Sequence, residues 1–206
     1  KRQFFGQINE QQKDKLGQII SSVDRLKNIL NEAVATSKNL GDGFELNCGM
    51  VSIKNVVMDI LNEKENLISS RKIKISTSFP EDDIRVPADR KMIVQVVSAL
   101  IENSIEISPP DGHLMVEVNI KGSELQFSIS DSGEGISDEE AVSLFDRILI
   151  DRDTQRGSFK DGLNLHMAKK IIDSHGGRIW CESFEGLGSS FIFTLPMNKE
   201  LKRNAG

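Results

Sequence analysis

The sequence predicts an α+β fold, a two-layer sandwich with one mixed sheet under three helices, carried behind one long helix. Three patterns predict it. Apolar residues recur at alternating intervals of three and four through the N-terminal part. Three later segments carry apolar residues at helical spacing, and five short segments alternate apolar with polar residues as half-buried strands do.

Taken in order, Glu10 to Ser37 reads as one helix with Leu16, Ile19, Val23, Leu26, Leu30 and Ala33 on a heptad seam. Such a seam favours left-handed packing against another helix. Gly41-Asp42-Gly43 breaks the pattern, and Phe44-Glu45-Leu46 is a short extended piece. Ser52 caps a second helix, with Val56, Val57, Ile60, Leu61, Leu67 and Ile68 on its apolar face. Lys72 to Ser78 is a strand, and Pro80 and Pro87 bracket a loop. Asp89 caps a third helix that runs to about Ile107. After the Pro109-Pro110-Asp111-Gly112 turn, Leu114 to Ile120 and Leu125 to Ile129 form a hairpin across Lys121-Gly122-Ser123-Glu124. A helix is expected near Asp138 to Phe145, then a long polar loop from Asp146 to Asp161. Long loops in compact domains are usually functional or mobile. Gly162 to Ser174 is helical and stops at Gly176-Gly177; Arg178 to Ser183 and Ser189 to Leu195 are the last strands.

Composition limits the function. The chain has 206 residues, enough for one substantial domain plus an appendage, and its net charge of −5 offers no general basic field for nucleic acid. Cys48 and Cys181 lie far apart without metal spacing and read as two reduced, buried thiols. No run of about 18 apolar residues and no signal peptide is present. The first residue is Lys1 rather than Met, so a fragment of a longer polypeptide is expected, this part cytoplasmic and membrane attachment of the whole left open.

Four short stretches carry candidate chemistry. Asp131 ends a strand and is followed by Gly133 and Gly135. A carboxylate there can accept a hydrogen bond from an exocyclic amine such as adenine's, and the glycines let a flat ring approach the backbone; a plain Asp/Gly turn is the alternative. Asn103 sits inside the third helix, where its amide oxygen can hold a metal ion or simply face solvent. Gly162-Leu163-Asn164-Leu165 opens a helix after the long loop, and free N–H groups at a helix N-terminus suit phosphate. Gly186 to Phe191 is compatible with a simple hairpin turn.

In their order and spacing, these stretches resemble the GHKL ATPases, and within them the sensor histidine kinases. Asp131 to Ile136 matches the first glycine box, Glu102-Asn103 the N box, and Leu144-Phe145-Asp146-Arg147 the F box. Gly162, Leu163 and Leu165 match part of the second glycine box. His175 to Trp180 and Gly186 to Pro196 match the family's ending, and Asp24-Arg25-Leu26 with Asp42 to Leu46 resembles the second dimerisation helix and its exit.

The resemblance implies a Bergerat-type sandwich binding ATP and Mg²⁺. It implies residues 1–45 as the end of a dimerisation domain, 46–197 as the catalytic ATP-binding domain and 198–206 as a polar tail. Asp131 would hold the adenine amine, with Gly133, Gly135, Ile136 and Phe145 around the nucleotide. Asn103 would ligate Mg²⁺, residues 146–161 would form the ATP lid, and Lys160, Gly162, Leu163 and Asn164 would lie at the phosphates. Glu102 is the candidate catalytic carboxylate, set against a solvent-facing role, which is preferred. The γ-phosphate would pass to a histidine of the dimerisation domain of a homodimer and then to a response regulator Asp.

The chain departs from the family in three places. None of His113, His166 and His175 stands in an acceptor pattern, so each is expected to be structural. Ala99 replaces the first Asn of the N box, which argues against an ATP hydrolase, and Glu106 stands where Lys is usual. Lys160-Asp161-Gly162-Leu163-Asn164-Leu165 lacks two glycines of the second glycine box. The alternatives are a degenerate pseudokinase acting as an interaction module, and a serine-directed relative of the anti-sigma type, against which the heptad helix speaks.

Overall fold

The computed structural model describes residues 9, 12, 15, 16, 46–137, 141, 144, 145, 165–184 and 186–198. Most of the heptad helix, the 146–161 loop and residues 160–164 lie outside the described residues. At the start of that helix, Asn9 and Gln12 exchange backbone-to-side-chain hydrogen bonds of 3.0 and 2.8 Å. This reciprocal arrangement satisfies two orphan N–H groups of a first helical turn. Gln12, Lys15 and Leu16 are helical, and Leu16 is 44% exposed.

The elements that follow are β1 (Gly49–Ser52), α1 (Ile53–Glu63), α2 (Glu65–Ser70), β2 (Lys74–Ser78), β3 (Arg85–Ala88) and α3 (Arg90–Ile107). They continue with β4 (His113–Lys121), β5 (Glu124–Asp131), α4 (Leu165–Ser174), β6 (Arg178–Phe184) and β7 (Gly188–Pro196). Five strands form one sheet in the order β2-β4-β5-β7-β6, in which only β2 and β4 run parallel. The sheet is therefore mixed, as expected. Helices α1, α3 and α4 supply the second layer: α3 packs between α1 and α4 and lies on β5.

The core forms where the apolar faces meet. Ile93, Val96, Val97, Leu100 and Ile101 of α3 are fully buried, as are Leu125, Phe127 and Ile129 of β5. Phe127 stacks on Phe193 of β7, with ring centroids 4.8 Å apart, directly across the β5–β7 ladder. A stacked pair of this kind stabilises by about 1 kcal/mol beyond its area burial. Strand β5 is paired on both sides and holds the middle of the sheet, which fixes its terminal residue, Asp131.

Three expectations need correction. Pro80 and Pro87 do not bracket a plain loop: Arg85–Ala88 is a strand that pairs antiparallel with Gly49–Ser52 in a separate two-stranded sheet. Pro87 lacks an N–H donor but is tolerated because each strand of such a sheet is an edge. The second helix does not continue to Ile68; it breaks at Lys64, with φ −90° and ψ 5°, before α2. Cys48 is exposed rather than buried, while Cys181 is half-buried, and neither forms a disulfide among the described residues.

The capping expectations hold. Ser52 Oγ accepts from Asn55 N–H at 3.2 Å. Asp89 Oδ1 accepts from Lys91 and Met92 N–H at 3.0 and 3.3 Å, and its Oδ2 accepts from Asn47 N–H at 3.0 Å. The Asp89 N–H donates to Nε2 of buried His175 at 2.9 Å, and His175 Nδ1–H donates to Ile171 O at 2.7 Å. His175 is thereby a structural, neutral imidazole joining the start of α3 to the end of α4.

Burial by itself would raise the Asp89 carboxyl, but the N–H groups of Asn47, Met92 and Lys91 bring it below its ordinary value. A lowered folded-state value contributes stability above the unfolded carboxylate range, and that stability is lost as pH falls through the folded value. Asp89→Ala is expected to lower stability at pH 7 by about 1–2 kcal/mol, the usual cost of a lost N-cap. Urea unfolding at several pH values checks it: the gap between variant and wild type should shrink on acidification.

Candidate functional site

The site is built where the centre of the sheet meets the C-terminal end of α3. Asp131, at the end of β5, is 6% exposed. Its Oδ1 accepts from Gly133 N–H at 2.8 Å and, at 3.4 Å, from Ser189 N–H of β7. Its Oδ2 is buried and, among the described residues, has no hydrogen-bond partner. Burial raises the Asp131 carboxyl above its ordinary value, against the lowering effect of those two N–H groups. An orphaned buried acceptor costs about 1–3 kcal/mol, so it fits a ligand that brings a donor.

The segment after Asp131 is pressed against α3. A Cβ on Gly133 would lie 2.8 Å from Asp131 Oδ1 and 3.1 Å from Ile107 O, so no side chain fits there. Gly135 has φ 74°, in the region that favours glycine. Ile136 is half-buried, and its N–H donates to Ser183 Oγ at 2.8 Å.

Asn103 lies one helical turn before Ile107, on the same face of α3. It is 8% exposed. Ala99, one turn earlier again, is buried and apolar. Glu102 neither faces solvent freely nor stands ready as a base: it forms an ion pair with Lys64 Nζ at 2.5 Å and accepts from Ser98 Oγ at 3.2 Å. The hydrogen bond to Glu102 is the main reason the Lys64 ammonium is held above its ordinary value, although burial opposes it. Glu106 is exposed.

Phe145 is 4% exposed, and its carbonyl accepts from His166 Nδ1–H of α4 at 3.1 Å, so His166 has a structural partner. His113 bonds to Ser76 Oγ through Nε2 at 2.8 Å. Lys160, Gly162, Leu163 and Asn164 lie outside the described residues, as do the expected lid and most of the dimerisation helix. The structure thus brings Asp131, Gly133, Gly135 and Ile136 together beside the helix that carries Asn103.

Sequence reasoning missed the part that four residues play in this site. Arg71 donates to Ile105 O, Glu106 O and Ser108 O at 2.8, 2.9 and 3.2 Å, closing the C-terminal turn of α3 with a cation. That placement also complements the helix dipole. Ser189 N–H of β7 reaches Asp131 Oδ1 and Ser189 Oγ bonds Ser183 Oγ of β6, where the sequence shows only two strand ends. Cys181 also borders Asp131: burial first, then the Asp131 and Glu182 charges, push its thiol up to about 12.

The chain belongs to the family of histidine kinase-, DNA gyrase B- and HSP90-like ATPases, whose pattern matches residues 88–199. It is 28% identical over 183 residues to the sensor histidine kinase WalK of Bacillus subtilis, covering 87% of this chain and 30% of that protein. It is 34% identical over 203 residues to the adaptive-response sensory kinase SasA of Prochlorococcus marinus, covering 92% and 54%. The chain thus spans between about a third and a half of these relatives. Among solved structures, the catalytic domain of histidine kinase ThkA superposes with a TM-score of 0.65 at 29% identity, covering 73% of this chain and 96% of that one. ThkA in complex with response regulator protein TrrA gives 0.71 at 26% identity, covering 94% and 53%.

Proposed function

We propose that this chain is the ATP-binding catalytic part of a two-component sensor histidine kinase. In this reading, residues 46–197 bind Mg–ATP and direct its γ-phosphate to a histidine on the dimerisation domain of a homodimer. A receiver Asp of a response regulator is the next acceptor. The observation that carries the reading is the orphaned Oδ2 of Asp131. It is buried and aligned by Gly133 and Ser189, and it needs the donor that an adenine 6-amine brings. Asn103, buried on the face of α3 that leads to Ile107, fits an oxygen ligand for Mg²⁺.

Kinship with proteins named as sensor kinases supports transfer to histidine over a purely structural role. The ThkA–TrrA complex supports the receiver partner. Lys160, Gly162, Leu163 and Asn164 are proposed for the phosphates and residues 146–161 for the lid. Glu102 is assigned to holding Lys64 at the α1–α2 junction rather than to proton transfer. Among the described residues, no helix is long and apolar enough to cross a membrane; a cytoplasmic position is part of the proposal for this part of the protein. ATP, when bound, supplies the phosphoryl group, and Mg²⁺ neutralises its charge; the protein's share is positioning.

Calorimetric titration with Mg–ATP is expected to give saturable heat below about 1 mM, the usual upper range for such sites. Asn103→Ala should weaken Mg–ATP by roughly tenfold, the loss of one ordinary ligand contact, while binding of Mg-free ATP stays the same. A folded protein that takes up no nucleotide at millimolar concentration sinks the proposal. Phosphate that is acid-stable on a longer chain, rather than acid-labile, overturns the histidine acceptor.

A further inference from the structure

Ser183 lies on β6, in neither the Asp131 segment nor α3, and is 6% exposed. Its hydroxyl receives the Ile136 N–H at 2.8 Å, lies 3.1 Å from Gly188 O and 2.9 Å from Ser189 Oγ. A hydroxyl has one hydrogen and two lone pairs. Donation to Gly188 O leaves both lone pairs for Ile136 N–H and Ser189 O–H, so three segments are tied at one atom with nothing left over. Ser189 in turn donates its N–H to Asp131 Oδ1. A second tie runs alongside, where Gly186 N–H donates to Glu134 O at 2.6 Å.

These bonds set where Asp131 and the glycine segment stand relative to each other. Asp131 Oδ1 is held by Gly133 and Ser189, which leaves Oδ2 as the free acceptor. Ser183 fixes the far end of the same segment at Ile136 and the β7 end through Ser189.

We propose that Ser183 is a positioning residue for adenine recognition: its hydroxyl clamps residues 133–136 to the β6–β7 hairpin and so aims the Asp131 carboxylate at the purine 6-amine. The proposal rests on the nucleotide-binding reading above. Ser183 acts through Asp131 and Ile136 and touches no nucleotide.

The test compares wild type with Ser183→Ala and Ser183→Thr, titrating each with ATP and with purine riboside 5′-triphosphate, which lacks the 6-amine. Amide hydrogen exchange at Ile136 in the nucleotide-free protein is read in parallel. Ser183→Ala is expected to weaken ATP about tenfold, change the amine-free nucleotide by less than about twofold, and speed Ile136 exchange about tenfold. Ser183→Thr keeps the hydroxyl and should restore all three readings. The proposal is overturned if Ser183→Ala binds ATP as wild type does, if both nucleotides weaken equally, or if Ile136 exchange is unchanged. A wild-type protein that binds neither nucleotide defeats the nucleotide reading first. A wild type that binds ATP beside an indifferent Ser183→Ala defeats only the clamp.

Discussion

Asp131→Asn is expected to abolish useful ATP binding, weakening it by about 3 kcal/mol, on the order of 100-fold in Kd, with the fold intact. The substitution is nearly isosteric. The amide oxygen can still accept from Gly133 and Ser189. The other position then carries an NH₂ where the free carboxylate oxygen stood, so a donor meets the adenine amine. Both a charge-assisted bond and its geometry are lost, while the segment that follows keeps its course.

The same residue gives the reading a pH signature. Burial holds the Asp131 carboxyl above its ordinary value. With a raised folded-state value, the contribution of this group to stability is full below the unfolded value and is lost as pH rises through the folded one. Above that raised value the empty site carries a buried, ionised carboxylate at a cost, and there Asp131→Asn should melt at or above the wild-type temperature. Ligand dependence runs the other way, because the ionised form accepts the amine. Wild-type ATP affinity should fall as pH drops through that raised value, and the variant should show no such dependence. Thermal melts and titrations across pH check both signs. A variant that binds ATP like wild type removes Asp131 from the adenine site.

Much of this site was legible in the sequence because its parts are local. Strict alternation from Leu125 to Ile129 sets β5, and the glycines after Asp131 announce a close backbone approach. Asp89 and Ser52 announce the starts of α3 and α1. The illegible parts depend on partners remote in the chain. Glu102 has no visible sequence reason to avoid solvent; Lys64, placed by the break between α1 and α2, decides it. Ser183 and Ser189 read only as the ends of two strands until β6 and β7 fold back beside the end of β5. The β1–β3 pair escaped because Pro87 argues against a strand, and only the edge position of β3 removes the objection. The heptad seam predicts a helix whose start is visible in the Asn9–Gln12 capping pair, while its packing lies outside the described residues.

Gly188→Ala is expected to have the largest effect on stability. Gly188 has φ +97°, and a Cβ there would collide with the Asp131 backbone carbonyl, which is part of the main chain and cannot swing aside. The strain of a non-glycine residue at such a φ costs about 1–3 kcal/mol, and overpacking adds about as much again. A total of about 3–4 kcal/mol corresponds to a fall of roughly 10 °C in Tm for a chain of this size. The collision also drives the end of β5 away from β7, so the Ser189 N–H loses Asp131 Oδ1 and the carboxylate loses its aim. Nucleotide affinity should therefore fall even at temperatures where the variant is folded. Gly122→Ala separates strain from contact. Gly122 has φ +61° in the β4–β5 turn, at the other end of β5, and nothing lies within 4 Å of a Cβ built there. It should lose about 1 kcal/mol through backbone strain alone and bind ATP as wild type does. If both variants lose equal stability and both keep ATP affinity, the close approach of Gly188 to Asp131 has no part in building the site.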